Sequence, residues 1–264
     1  MTLPAREPDA SSPVPPDGTG ATVEQRHAEL GAALVSGIAV FALAAWAFSS
    51  LLEEVLDGAT LVRWDTGVSA WMHAHATSGG LLAFRVITQL GQGGVWLTIA
   101  LVGWWLWRRR ERLLLGTWLA GNAGGALVEQ ALKHAVHRPR PTYGAEYLHF
   151  HSYSFPSGHT MAAAVCYVLL AKIVADQRGW RAGRRGGAFA VAALLVLLVA
   201  VSRIYLGVHY PSDVAGGAIA GVAWVAACAV ALRVVRHRAV VRQAARRQAT
   251  DAGAVGDGVG DVAR

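Results

Sequence analysis

The stretch at residues 187–202 reads GAFAVAALLVLLVAVS and contains no charged side chain. A helix of this composition is apolar around its whole circumference, so it has no polar face to turn toward water. Such a helix indicates a membrane span, which needs about 20 mostly apolar residues to cross the hydrocarbon layer. Because this stretch is slightly short, we expect the helix to extend into the flanking residues.

Similar apolar stretches lie on both sides of this one. The predicted spans, in chain order, are residues 31–52, 84–107, 113–136, 160–175, 187–202 and 214–234. Arg85, near the start of the second stretch, suggests that this span begins closer to Gly91. We therefore predict an all-α fold, a polytopic membrane bundle of six transmembrane helices over residues 31–234. We expect residues 1–30 to be a disordered cytosolic tail and residues 235–264 a cytosolic tail, first basic and then rich in Gly and Asp.

The distribution of charge predicts the orientation of the bundle. The chain carries a formal net charge of +7 and is 54% hydrophobic. Its arginines cluster at residues 108–112, at residues 176–185 and after residue 233, which a six-span arrangement places on one side. Basic loops mark the cytoplasmic side, so both termini are predicted to be cytoplasmic. This placement also explains the positive charge without a nucleic-acid partner. Residues 64–75, on the opposite side, are expected to form an amphipathic segment at the membrane surface.

The two cysteines are expected to have no chemical role. Cys166 and Cys228 each lie inside an apolar stretch and have no partner at a metal-ligand spacing. We interpret both as small buried hydrophobic residues. The abundance of alanine and scarcity of lysine favour a bacterial source, and hence a bacterial plasma membrane.

Three polar clusters lie at span ends on the predicted outer side. They read KHAVHRPRP at residues 133–141, PSGH at 156–159 and SRIYLGVHYPSD at 202–213. Each cluster has an ordinary explanation when taken alone, as interfacial anchors, as a helix start or as a capping pair. Charged groups near membrane depth are costly, however, and are usually functional.

Taken together, the clusters describe an anion site. Pro156 and Pro211 predict two helix N-termini at the same face, where free N–H groups and the helix dipole favour a negative ligand. Fixed positive charge and further hydrogen-bond donors are expected from Lys133, Arg140, Arg203, Ser157 and Gly158. The expected ligand is a phosphoryl group.

Two histidines beside this site suggest covalent catalysis. His209, oriented by Asp213, is positioned in sequence to attack phosphorus and form a phosphohistidine. His159 is a candidate acid for the leaving oxygen and a candidate base for the water that follows. The outer loops lack the carboxylate or Cys/His sets typical of metal sites, so we expect no cofactor and no metal.

The order and spacing of these clusters resemble the three-part signature of the type 2 phosphatidic acid phosphatase superfamily. The matching positions are Lys133, Arg140 and Pro141, then Pro156, Ser157, Gly158 and His159, then Ser202, Arg203, His209 and Asp213. The resemblance implies a six-span membrane enzyme with His209 as nucleophile, Asp213 as its orienting partner and His159 as acid and base. It implies that Lys133, Arg140, Ser157, Gly158 and Arg203 surround the phosphate.

Neighbouring polar residues are harder to assign. Arg138 is either a further substrate contact or a solvated, headgroup-facing residue, and Ser154 is a candidate for the entrance to the site. A metal site formed by His134, His137, His149 and His151 is disfavoured, because their loop offers no coherent ligand set.

The predicted function is therefore phosphatase action on a lipid headgroup at the extracytoplasmic surface. The candidate substrates are phosphatidic acid, phosphatidylglycerol phosphate and undecaprenyl diphosphate, because the motifs address only the phosphate. The alternatives are a lipid phosphotransferase and a non-catalytic lipid-binding or transport protein. Vanadate-dependent halide oxidation, known in soluble members of the family, is disfavoured for a membrane chain.

Overall fold

The computed structural model describes residues 23–143 and 152–259, and every regular element in these ranges is helical. The elements are α1 (Val23–Asp57), α2 (Ala59–Ala74), α3 (Ser78–Ile87), a 3-10 turn (Thr88–Gly91), α4 (Gly93–Arg108), α5 (Arg112–Val136), α6 (Gly158–Gln177), α7 (Ala182–Tyr205) and α8 (Pro211–Val259). The predicted all-α class is confirmed.

Five helical stretches in the described ranges are long and apolar enough to cross a membrane. They are Leu34–Asp57, Ser78–Arg108, Gly158–Gln177, Ala182–Tyr205 and Pro211–Ala239. These match five of the six predicted spans and support a multi-pass membrane protein. The remaining prediction, residues 113–136, coincides with α5, but polar residues such as Asn122, Glu129 and Lys133 interrupt its apolar sequence.

The helices extend beyond the predicted boundaries at both ends of the bundle. Helix α1 begins at Val23, inside the predicted N-terminal tail, and residues 1–22 lie outside the described ranges. Helix α8 continues to Val259, well past the boundary predicted at residue 234. Residues 235–249 are rich in Ala, Arg and Gln, which are good helix formers, so the helix does not end where the apolar stretch ends. Residues 260–264 also lie outside the described ranges.

Helix α6 is the best-buried helix of the bundle and packs against α5, α7 and α8. Small residues allow the close approach of α6 and α8: a Cβ atom added to Gly221 would lie 2.6 Å from Ala164 Cβ and 3.1 Å from Met161 O. Trp224 Nε1 of α8 donates a hydrogen bond of 2.7 Å to the carbonyl of Gly121 on α5. This close packing of small residues is typical of helix contacts in membranes.

The same packing brings several helix ends together at one end of the bundle. The backbone N–H of Ser157, just before α6, donates to the carbonyl of Asp213 in the first turn of α8 at 2.9 Å. Arg203, in the last turn of α7, donates to Thr88 Oγ1 of the 3-10 turn at 3.0 Å. The C-terminal end of α5 leads into the same region, which we call the polar end of the bundle.

Replacement of Gly221 by alanine should destabilise the protein, because the added methyl group would force α6 and α8 apart. Overpacking of this kind costs about 1 to 3 kcal/mol. We expect the thermal unfolding midpoint in detergent to fall by several degrees. Gly116→Ala is the matched control, since a Cβ atom there meets nothing within 4 Å and alanine is the better helix former. Equal midpoints for the two variants would contradict this account of the α6–α8 contact.

Candidate active site

His209 lies in the short loop between α7 and α8, with only 1% of its surface exposed. Its Nε2 atom is 3.1 Å from Arg140 Nη1, and its Nδ1 atom is 3.4 Å from Asp213 Oδ2. A guanidinium has donors only, so Nε2 must be the acceptor in the first contact. The ring proton is therefore assigned to Nδ1, facing Asp213. Burial lowers the pKa of His209 to about 3, so the imidazole is neutral near pH 7.

Arg140 is held at this position by backbone carbonyl groups. Its Nη1 donates to the carbonyl of Val208 at 2.9 Å, and its Nε donates to the carbonyl of Ser152 at 2.8 Å. These contacts fix the guanidinium beside Nε2 of His209. A phosphoryl group that reached Nε2 would therefore meet Arg140 at once.

Asp213, in the first turn of α8, is fully buried and strongly hydrogen-bonded. Its Oδ1 accepts from Arg138 Nη1 at 2.6 Å, and its Oδ2 accepts from the N–H of Tyr210 at 2.8 Å and from the hydroxyl of Ser154. The separation of 3.4 Å from His209 Nδ1 is long for a hydrogen bond, but catalytic contacts often tighten only when substrate is bound. Ser154, expected at the entrance of the site, instead helps to hold this carboxylate.

Arg138 is buried and bridges two carboxylates, so the solvated or headgroup-facing role considered for it is wrong. Its Nη2 lies 2.7 Å from Asp65 Oδ2, on α2, and its Nη1 also donates to Ser212 Oγ at 2.7 Å. Burial alone would lower the pKa of Arg138, but Asp213 and Asp65 outweigh this effect and raise it. We call Asp65, Arg138 and Asp213 the buried charge network.

His159 lies in the first turn of α6, on the wall of a cleft between α4, α5 and α6. Its Nε2 atom is 3.3 Å from Gln92 Oε1, so Nε2 is assigned as the protonated nitrogen. The cleft has a volume of about 200 Å³, and its wall includes Gln92, Asn122, Glu129, Gly158 and His159. His159 can therefore present a proton to a group that occupies this cleft.

The remaining predicted phosphate ligands also lie at the polar end. Lys133 Nζ is 2.9 Å from Glu129 Oε1, one turn earlier on α5. Ser157 and Gly158 form the start of α6, and Arg203 faces the 3-10 turn. The charges of Arg203, Lys133 and Arg140 are all close enough to act on the imidazole of His159. The structure thus brings the eight predicted residues to one end of the bundle. Of the histidines considered as metal ligands, His149 and His151 lie outside the described residues.

Several contact residues of the site were not predicted from the sequence, namely Asp65, Thr88, Gln92, Glu129 and Ser212. Asp65 had a detectable signal, because it shares one helical face with Leu61, Val68 and Met72. Glu129 could also have been detected from the sequence, since a carboxylate within a predicted span is usually functional. Thr88 and Gln92 had none, because each gains its role only from the fold.

Comparison with known proteins shows which family the chain belongs to. The PAP2 superfamily matches residues 112–236 of the chain. Phosphatidylglycerophosphatase B of Bacillus subtilis is 30% identical over 174 residues, which cover 65% of this chain and 78% of that protein. Decaprenylphosphoryl-5-phosphoribose phosphatase of Mycobacterium tuberculosis is 34% identical over 151 residues, covering 54% and 75% of the two chains.

A solved structure is also similar. The crystal structure of a transmembrane PAP2-type phosphatidylglycerolphosphate phosphatase from Bacillus subtilis has a TM-score of 0.59 and 25% sequence identity, covering 73% of this chain and 92% of that chain. The fold and these relatives define a multi-pass membrane phosphatase. The chain belongs to the PAP2 superfamily, as its three sequence clusters predicted.

Replacement of Arg138 by methionine should strongly destabilise the protein, because Asp65 and Asp213 would remain buried without a counter-charge. Breaking a buried ion pair from one side typically costs about 3 to 5 kcal/mol. The measurement is the thermal unfolding midpoint in detergent. Arg63→Met is the control, since Arg63 lies on α2 but is exposed. If both variants unfold at the same temperature, the buried charge network does not stabilise the fold as described.

Proposed function

We propose that this protein hydrolyses the phosphate monoester or diphosphate headgroup of a membrane lipid through a phosphohistidine intermediate. The observation that carries the proposal is the arrangement around His209. Its Nε2 lone pair faces a fixed guanidinium at 3.1 Å, and its Nδ1 faces a buried carboxylate. A neutral imidazole with this tautomer is a competent nucleophile beside an anion-binding group.

In the first step, His209 Nε2 attacks phosphorus and the bond from phosphorus to the leaving oxygen breaks. Asp213, facing Nδ1–H, stabilises the positive charge that the imidazole acquires. A protonated His159 gives its proton to the leaving oxygen. The lipid product then leaves with a neutral hydroxyl group or, from a diphosphate, as a monophosphate.

In the second step, water hydrolyses the phosphohistidine. His159, now neutral, accepts a proton from the attacking water, and the bond from Nε2 to phosphorus breaks. Inorganic phosphate is released and His209 returns to its starting form. His209 thus forms the bond to phosphorus in the first step and loses it in the second, and His159 acts first as an acid and then as a base.

The phosphate oxygens are assigned to the cations and to the start of α6. Arg140 contacts Nε2 directly, so we expect its Nη1 to donate to a phosphate oxygen in place of the imidazole when the substrate enters, while the carbonyls of Ser152 and Val208 keep the guanidinium in position. Lys133, Arg203, the hydroxyl of Ser157 and the N–H of Gly158 at the start of α6 supply the other donors. Preorganised donors of this kind stabilise the charge of the transition state more than that of the ground state.

The substrate is proposed to be a lipid phosphate, because the similar proteins carry the names of phosphatidylglycerophosphate and decaprenylphosphoryl-phosphoribose phosphatases. Phosphatidic acid, phosphatidylglycerol phosphate and undecaprenyl diphosphate are the candidates. The cleft beside His159 continues to apolar side chains such as Val95, Ile99 and Val165, which suits a lipid substituent.

The membrane arrangement is proposed to have six spans, with α5 as the third. The buried side of α5 holds Trp118 and the Glu129–Lys133 pair, so its polar residues are partly shielded by neighbouring helices. The arginine-rich loops at residues 108–112 and 176–185 then face the cytoplasm. Both termini share that side, and the active site faces the extracytoplasmic side of a bacterial plasma membrane.

Replacement of His209 by alanine should remove the nucleophile and lower kcat by a factor on the order of 10³ to 10⁶. The assay is phosphate release by purified protein in detergent with EDTA, across a panel of lipid phosphates and diphosphates. His75→Ala serves as the control, because His75 is exposed on the neighbouring segment. Near-normal activity of the His209 variant would exclude the proposed covalent mechanism.

Cysteine labelling should report the two sides of the membrane. Single cysteines at Gly79 and Gly183 are suitable, because a side chain at either position meets nothing within 4 Å. With Cys166 and Cys228 replaced by alanine, an impermeant thiol reagent added to intact cells should label position 79 and spare position 183. The opposite pattern would invert the proposed orientation.

A further inference from the structure

Glu129 is a buried carboxylate inside the candidate phosphate site, and neither the sequence motifs nor the mechanism above gives it a role. Only 8% of its surface is exposed. Its Oε1 atom lies 2.9 Å from Lys133 Nζ, and its Oε2 accepts a hydrogen bond of 2.8 Å from Gln130 Nε2. An acidic group is therefore fixed directly beside a cation assigned to the substrate phosphate.

The position of Glu129 relative to α6 is equally specific. A Cβ atom added to Gly158 would lie 2.5 Å from Glu129 Oε1, so the carboxylate packs against the first residue of α6. The positive end of a helix dipole favours a negative group there. Glu129 thus lies at the N-terminus of α6, a place that would otherwise attract a second anionic group of the ligand.

Glu129 also lies on the leaving-group side of the site. It lines the same cleft as His159, the residue assigned to protonate the leaving oxygen. The leaving group, which His159 is assigned to protonate, would therefore lie in the cleft that Glu129 also lines. A phosphate monoester places a neutral alkoxy group in this cleft, whereas a diphosphate places a second, negatively charged phosphoryl group there.

We propose that Glu129 determines specificity by disfavouring diphosphates, so that the substrates of this site are lipid phosphate monoesters with a neutral alcohol as leaving group. The inference rests on the proposed function and narrows its substrate class. The physical reason is Coulombic: repulsion by a fixed carboxylate grows with the charge of the ligand and is strong in a poorly solvated site. The carboxylate of Glu129 therefore repels a bound diphosphate more strongly than a bound monoester.

The test uses farnesyl phosphate and farnesyl diphosphate, which share one tail and differ only in the second phosphoryl group. The wild-type protein should have the higher kcat/KM for the monoester. Glu129→Gln removes the charge but keeps the size of the side chain against Gly158. We expect the ratio of kcat/KM for monoester to that for diphosphate to fall about tenfold, a fold-change of the size that one nearby charge produces.

Two control variants separate charge from structure. Glu129→Asp keeps the charge and should keep a ratio close to that of the wild type, even if total activity falls. Glu53→Gln removes an exposed carboxylate and should leave the ratio unchanged. If the ratio of kcat/KM for monoester to that for diphosphate stays constant or rises in Glu129→Gln, the proposal is overturned.

A binding measurement distinguishes failure of this inference from failure of the proposed function. Inorganic phosphate and inorganic diphosphate are titrated into the wild-type protein and into Glu129→Gln, with the Kd read by calorimetry. The substitution should strengthen diphosphate binding more than phosphate binding. If it does so in a protein that hydrolyses neither lipid, the proposed function fails, whereas the discrimination by Glu129 against diphosphate ligands stands. If both ligands respond equally, the role of Glu129 is rejected whatever the activity.

Discussion

Arg138 lies between two buried carboxylates, with Nη1 2.6 Å from Asp213 Oδ1 and Nη2 2.7 Å from Asp65 Oδ2. The three residues come from α2, from the loop after α5 and from α8, so this network ties three separate parts of the chain together. Because each charge would be costly to bury alone, the three positions depend on one another. The orientation of Asp213, and through it the tautomer of His209, depends on this network.

A second constraint comes from the way the helices end. The ends of α5 and α7 and the starts of α6 and α8 meet at the polar end of the bundle, where backbone groups that lack a helical partner must be satisfied. The N–H of Ser157, for example, donates to the carbonyl of Asp213. The same requirement that ends the helices also gathers donors, cations and two histidines around one small volume. The groups of the candidate active site are therefore held by the bundle itself.

Prediction from the sequence succeeded where a local pattern carried the signal. Long apolar stretches located most of the helices, and the eight residues predicted from the three clusters lie at one end of the bundle. It failed for Arg138, because the sequence of a loop does not reveal whether a charged side chain is solvated or paired. It also missed Asp65, whose partner is 73 residues away in sequence. Helix α8 is longer than predicted because the residues that follow its apolar stretch are also good helix formers.

The sequence alone thus determined the class of the fold and the superfamily, and it predicted the residues of the candidate site, since these depend on hydrophobic length and on short motifs. Only the tertiary structure decided which partner each charged group has. Arg138 is paired with two aspartates, Lys133 with Glu129, and His159 with Gln92. The physical reason is that a charge becomes costly, and so requires a partner, only after packing has removed it from water. Which groups share that buried space is a property of the folded bundle.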